Sequence, residues 1–493
     1  MSNMSDTATD DTQVIMDLGY KQELKRHHNR WSLLGYAFIT LNTWTALAAS
    51  LNLALPTGGP SAVLWGLIIS GIGCTCLAAS MAEFASAYPT AAGQYYWVAL
   101  VSPPKWAPLL SWSCGWINVV GWAFIVGTGA SFGGQMILNI ESLMHPGFVA
   151  DPWHNFLMYL AIMTMAFLMN VFANGILPHL NKAALVWSIL GLFIVMIAVL
   201  SCAAPNFRDA GEVFGGVLNE TEWPTGIAWS LGLLQGTLCL LGYDSPARMA
   251  EEIPNPQKNV PRTMIGCVVL GAASGFIFCL ALLSSKVAAI VLLMFPLGCI
   301  LVCTVMIMTS ASRLIWAFAR DGGLPFSGWM AKVHPTLKVP VNSIIASFVV
   351  TTVYGILYFA GTSAIPAIVS SATVAMGLAN AFPIFVNMCR GRKGLPKDRA
   401  FKLSEPVALV LNTVGMLFTA FTTMLFLFPP VGPNVKASNM NYAVVPLALM
   451  VVISAVDYIL NGKTRFQTPK LPGSNELVVE VYEDNSAMKE NRV

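Results

Sequence analysis

The sequence predicts an all-α integral membrane protein with twelve transmembrane helices, and three observations carry that prediction. Of the 493 residues, 56% are hydrophobic and only 10% are charged, against about 25% charged in an ordinary soluble domain. So few charges cannot coat a soluble surface of this size. Many apolar runs exceed the ~18 residues that mark a membrane-helix candidate. None alternates as a lipid-facing barrel strand would, and within lipid a lone segment satisfies its own backbone only as a helix.

The helices are placed at 31–55, 61–85, 106–140, 152–175, 178–203, 226–250, 261–285, 287–317, 341–360, 364–388, 405–428 and 441–460, and are called spans one to twelve below. Lysine and arginine orient them. With the N-terminus inside, only Arg208, Lys286 and Lys436 of the 27 basic residues fall outside. Both termini are therefore expected in the cytoplasm. The sequon Asn219-Glu220-Thr221 then lies in an outer loop, in agreement. The tails 1–30 and 461–493 are polar and carry no soluble domain, and 1–30 lacks the apolar core of a secretory signal.

Several function classes drop out on composition. A net charge of +3 with no basic domain gives no footprint for nucleic acid. Most of the ten cysteines sit inside apolar runs, without a CxxC pair at metal spacing, and read as buried reduced thiols. The six histidines form no HExxH pair, and there is no P-loop. Neither an enzyme, a cofactor, a metal centre nor ATP-driven transport is expected.

Two spans are interrupted. Span six reads GLLQGTLCLLGYDSP from Gly232 to Pro246, where a helix should be crossing the membrane. Gly242 weakens it, and Ser245-Pro246 looks like a fresh start, with Ser as N-cap and Pro in the first turn. In span one the polar run Thr40-Leu41-Asn42-Thr43-Trp44-Thr45 interrupts apolar flanks. Breaks in spans one and six are the spacing expected if 31–203 and 204–388 are five-helix repeats of opposite topology; the family resemblance given below implies that the two helices in 389–460 are peripheral. Broken helices survive at membrane depth only inside protein or around a wet cavity. Their free N–H groups suit a carboxylate and their free carbonyls an ammonium, so the pair predicts a small-solute site.

The candidate residues follow. At the first break Thr43, Trp44 and Thr45 are expected to meet a carboxylate, with the Trp44 face available to a cation; the alternative is packing and hydroxyls bonded back to their own helix. At the second break Gly242 supplies backbone freedom, Tyr243 a gate or stacking face, and Asp244 and Ser245 polar contacts. Asp244 is the candidate carrier of a coupling proton, an intramembrane acid being a functional hypothesis by default; the alternative is that Asp244 and Ser245 cap the next half-helix. Glu83, ending span two, is expected to pair with Arg248, Arg262 or Arg313 as an inner gate. Glu251 and Glu252 are read as gate or structural salt bridges. Thr309, Ser310 and Ser312 in span eight are sodium-ligand candidates, and Lys182 is expected to snorkel toward the membrane surface.

Three stretches carry a family resemblance: GYDSPARMAEEIPNPQKNVPR (242–262), MAEFASAYPTAAGQYYW (81–97) and SRLIWAFARDGGLP (312–325). They resemble the amino acid–polyamine–organocation superfamily. NTWTALAASLNLALPTGG (42–59) and LPHLNKAALVWSILG (177–191) are similar to its fungal permeases for amino acids, GABA and choline. The resemblance spans roughly 30–460. It implies a leucine-transporter-type fold and a plasma-membrane permease, proton-coupled, that imports an amino acid or related small amine by alternating access. Polyamines or nucleobases are the alternative cargo. Two departures stand out. Ala92 replaces a common Gly. Span seven runs into span eight almost directly, where relatives have an outer connection with a short helix. That shortening makes a non-transporting nutrient sensor, or an inactive truncated permease, the alternative function.

Overall fold

The computed structural model describes residues 30–469 together with Met16, apart from 146, 285–289, 361–363 and 437–438. Every regular element among the described residues is a helix. Ten helices are long and apolar enough to cross a membrane. The other two crossings of the sequence reading are the second limb of the 32–87 run and the interrupted segment 225–248; neither is a separate unbroken helix.

Span one begins as Arg30–Leu41 and resumes at Thr43 after a single left-handed residue, Asn42 (φ 49, ψ 39). From there two helical limbs cover Thr43–Ala87, 45 residues in all, separated by a non-helical residue at Gly59. The chain reverses there (φ 69, ψ −164), between Pro56 and Pro60. Spans one and two are thus joined by a bend in the gap that 31–55 and 61–85 leave. The segment before span six lies against that bend: Ser61 N–H donates to Gly216 O (3.1 Å) and Glu220 N–H to Pro56 O (2.8 Å). A Cβ at Gly59 would sit 2.6 Å from Leu218 N, so left-handed φ and backbone crowding both demand glycine here.

The remaining crossings are Ala107–Met144, Pro152–Phe172, Leu177–Ala203, Pro256–Ser284, Ile290–Arg320, Val341–Tyr354, Ala364–Cys389, Glu405–Leu425 and Val444–Asp457, spans three to five and seven to twelve. A short helix, Gln94–Val101, precedes span three. Span four starts at Asp151-Pro152 with a reciprocal cap, Asp151 N–H donating to His154 Nδ1 (3.0 Å), which satisfies donors the helix itself leaves open. The connection between spans seven and eight, 285–289, lies outside the described residues.

Burial sorts the crossings. In its most apolar window span ten is 78% buried and span three 72%, whereas span eleven is 28% and span twelve 6% buried. The last two are peripheral, and their exposed Leu417, Met424, Val451 and Ile459 face where acyl chains would be. Arg320, Arg390, Arg392 and Arg465 lie at or just beyond the C-terminal ends of spans eight, ten and twelve, called the basic end below. There the chain beyond span twelve folds back: Arg465 Nε donates to Gly322 O (2.8 Å), Gln467 N–H to Asp321 O (2.9 Å), and Phe466 packs between Trp112 and Phe318.

Gly59→Val is expected to cost about 2 kcal/mol or more, read as a lower melting temperature of the detergent-solubilised protein. Gly175→Ala, with nothing within 4 Å of its new Cβ, should melt like the parent. Equal melting temperatures for both variants would contradict the crowded bend.

Candidate functional site

The two interruptions meet inside the bundle. At the first, Asn42 N–H donates to Phe38 O (2.9 Å), and Asn42 O accepts from Ala46 N–H (2.9 Å) and Thr45 Oγ1 (3.1 Å). At the second, the helix ending at Leu238 loosens into bonds that span three residues, at Leu240, Leu241, Ser245, Ala247 and Met249. Gly242 supplies the turn at φ +92. A Cβ there would lie 3.5 Å from Thr40 Cγ2, so the break in span six faces the start of the break in span one. All residues of 40–45 and 240–245 are buried; the conformation is closed.

The second break holds a charged cluster. Asp244 Oδ2 accepts from Arg248 Nη2 (3.0 Å), Gln94 Nε2 (2.9 Å) and Trp122 Nε1 (3.1 Å). Gln94 Nε2 also donates to Asn380 Oδ1 (2.7 Å), while Gln94 Oε1 accepts from Asn118 Nδ2 (2.9 Å) and from Arg248. Asp244 and Arg248 are both 0% exposed. Spans three, six and ten and the turn before Gln94 therefore converge on one ion pair. The pair fits Asp244 and Arg248 because four residues bring side chains onto one helical face. Neither Asp244 nor Ser245 caps the following half-helix, so the capping alternative fails. Asp244 Oδ1 and Ser245 Oγ have no hydrogen-bond partner in the protein, and the Tyr243 hydroxyl lies against the Asn380 amide.

Below the break the chain is clamped. Arg248 Nη1 donates to Ala91 O (3.2 Å) and Ala92 O (2.9 Å). Glu251 Oε1 accepts from Ala91 N–H (3.2 Å), Thr90 Oγ1 (3.4 Å) and Arg320 Nη2 (3.4 Å). One acid and one base, three residues apart, thus grip both polarities of the same turn. Glu252 pairs with Arg313 Nε (3.3 Å), whose Nη2 reaches Asn174 (3.3 Å).

Other expected residues sit differently. Trp44 is spent on packing: Nε1 donates to Ser188 Oγ (2.8 Å) in span five, and the ring meets Phe278 of span seven edge-on at 5.5 Å. Thr43 points at Gly271 of span seven, and Thr45 bonds back to its own helix. Glu83 pairs with none of Arg248, Arg262 or Arg313. Its oxygens accept from Arg392 Nη2 (2.8 Å), Arg399 and Leu403 N–H (3.1 Å), because the connection 390–403 folds over the end of span two. Arg262 is exposed. Burial pulls the Arg392 guanidinium down, but Glu83 and Glu405 hold it above its ordinary value.

The sodium candidates are engaged in helix contacts: Thr309 Oγ1 donates to Asn170 Oδ1 (2.7 Å), Ser310 bonds Tyr36, and Ser312 Oγ donates to Thr309 O (2.8 Å). A cavity of about 10 Å³ beside them, lined by Tyr36, Asn181, Glu252, Thr309 and Arg313 among others, has room for about one water. Lys182 is exposed. Sequence reasoning passed over Gln94, Asn118 and Asn380 and the pairing of Arg248. The available signal was an amide inside each apolar stretch, since polar groups at membrane depth seldom lack a job.

The sequence profile of the family described as amino acid permease matches residues 32–285 and 278–454, and this covers most of the chain. The chain belongs to the amino acid permease family. The match comes in two pieces that meet at 278–285, beside the shortened connection. The permease is 32% identical, over 83% of its length and 96% of the relative's, to a protein of Macrophomina phaseolina named as an amino acid/polyamine transporter. It is 29% identical to the choline transporter of Saccharomyces cerevisiae, over 90% and 83%. An amino-acid permease of Arabidopsis thaliana is 28% identical over 92% and 95%. These are transporters, not enzymes, and the permease is a multi-pass membrane transporter.

Removing the Glu83 carboxylate leaves the buried Arg399 side chain without an acid and Arg392 with only the exposed Glu405. Glu83→Ala is expected to cost about 3–5 kcal/mol. Glu405→Ala, whose side chain is 68% exposed, should cost under about 1 kcal/mol. Chemical or thermal unfolding in detergent tests the pair, and similar losses would show that Glu83 is no tether.

Proposed function

We propose that the permease imports an amino acid or a related small amine across the plasma membrane by alternating access, driven by a proton gradient, with both termini cytoplasmic. The observation that carries this reading is the contact between two broken helices, Thr40 facing Gly242, beside a buried ion pair. A leucine-transporter-type arrangement, with repeats over 31–203 and 204–388, supports it: one bundle rocks against the other and opens the closed breaks to each side in turn.

In this reading the basic end faces the cytoplasm, and its ion pairs Glu251–Arg320 and Glu252–Arg313 close it. Opening inward must separate span six from span eight at both. Asp244 is the residue we assign to the coupling proton. A proton and Arg248 compete for the same carboxylate, so proton uptake belongs to a conformation in which Arg248 has let go. The solute meets Tyr243, Asp244, Ser245 and the backbone at Gly242, together with the break at Thr43 and Thr45. Trp44 shapes the wall from behind.

A second reading, a non-transporting nutrient sensor, is favoured by one observation: the family match divides at 278–285, where the outer connection is short. Reconstituted vesicles separate the two. Labelled GABA, choline and a panel of amino acids should show saturable accumulation of at least one solute, at least ten-fold higher with an inward proton gradient than with the gradient collapsed. Asp244→Asn should remove that gradient dependence. Saturable binding without accumulation would favour the sensor, and accumulation indifferent to the gradient would refute proton coupling.

A further inference from the structure

Arg248 bears on which solutes the site admits, given the transport reading above. We propose that Arg248 is a charge-selecting residue: as the built-in counter-ion of Asp244 it restricts the cargo to species of zero net charge, zwitterionic amino acids above all, and excludes organic cations such as quaternary amines and polyamines.

The first argument is charge. Asp244 and Arg248 are 3.0 Å apart and both 0% exposed, and the other members of the cluster, Gln94, Asn118, Trp122 and Asn380, are neutral. The cluster therefore sums to zero. A solute cation beside it is drawn to Asp244 and pushed by Arg248, so the attraction that should repay its lost hydration is largely cancelled. A zwitterion carries its own balance and lies favourably against such a dipole.

The second argument is that Arg248, even where it releases Asp244, is held beside the break by its other acceptors. Its two terminal nitrogens reach Ala91 O, Ala92 O, Gln94 Oε1 and Asp244 Oδ2. A guanidinium still held by the first three stays within reach of the break.

The third argument is the inventory of unpaired groups. Asp244 Oδ1 and Asn118 Oδ1 are buried acceptors without a protein partner; Arg248 Nε is a buried donor without one, and the Asn380 amide nitrogen is shared only with the Tyr243 hydroxyl. An ammonium has N–H groups for the acceptors and a carboxylate has lone pairs for the donor. A quaternary amine offers no N–H and no carboxylate, and leaving buried polar groups unmatched is costly. Both kinds of orphan in one cluster call for a solute with both kinds of end.

The test is solute counterflow in vesicles containing the purified full-length protein, which needs no proton gradient, paired with thermal-shift binding of the same solutes. The probes are a zwitterion panel including GABA and alanine, choline as the cation, and glutamate as the net anion. Wild type should favour its best zwitterion over choline at least ten-fold. R248Q, with a net negative cluster, should lower that ratio at least ten-fold. D244N, with a net positive cluster, should instead shift preference at least ten-fold toward glutamate. R248K, which keeps the charge, should retain the wild-type ratio. Ratios are taken within each variant, so reduced folding does not imitate the effect, and D244N decides alone if R248Q does not fold. Choline preferred by wild type, no zwitterion response of either kind, or ratios unmoved by R248Q and D244N would overturn the proposal. Zwitterion binding without counterflow would instead overturn transport while leaving the charge rule standing.

Discussion

A helix that comes undone in a hydrocarbon layer has nowhere to hide its peptide groups except against other protein, and this constraint organises the whole molecule. Spans one and six come undone at the same depth and against each other. The unwinding is minimal in span one, a single left-handed residue whose carbonyl is taken up by Ala46 and by the Thr45 hydroxyl. It is longer in span six, where bonds shorten their reach from four residues to three and Gly242 turns the chain. The other crossings pack around these two, and burial falls from spans three, eight and ten to spans eleven and twelve.

An ion pair in such a place is expensive to desolvate and cannot be justified by stability alone. Asp244 and Arg248 are held in a web from three spans and a turn, so the pair also reports their relative positions. The turn at 90–93 is central to this. Arg248 takes its carbonyls and Glu251 takes an N–H, and Glu251 passes the connection on to Arg320 in span eight. The adjacent acid, Glu252, reaches Arg313 two helical turns earlier on the same span. Two neighbouring carboxylates thus fasten span six to span eight at two heights, and a displacement of either span disturbs the acid–base cluster at the break.

Much of this was legible in the chain. Gly-Tyr-Asp-Ser-Pro and the polar run before Trp44 announce their breaks because glycine, proline and short polar residues have local conformational preferences that need no partner. The low exposure of spans three and ten and the high exposure of spans eleven and twelve agree with the two peripheral helices that the family resemblance implies. What the sequence withheld were partners. Glu83 has several arginines within plausible reach, and only the folding of 390–403 over span two chooses Arg392 and Arg399. Trp44 reads equally as a solute platform or a packing residue until Ser188 and Phe278 are seen beside it. The break between spans one and two falls at Gly59, inside the gap that the spans 31–55 and 61–85 leave, because glycine and proline interrupt a helix without a partner's help. Gln94 and Asn380 lie 286 residues apart, a pairing that no local pattern encodes.

The stretch after span twelve has a mechanical consequence. Arg465 and Gln467 hang from the backbone of Asp321 and Gly322, Asp321 in turn accepts from the Tyr95 hydroxyl at 2.8 Å, and Phe466 is wedged between two rings. The end of span twelve is therefore leashed to the connection between spans eight and nine rather than floating beside it in the lipid. If that connection swings, the leash must travel with it as ballast or be cast off at the loss of two main-chain hydrogen bonds.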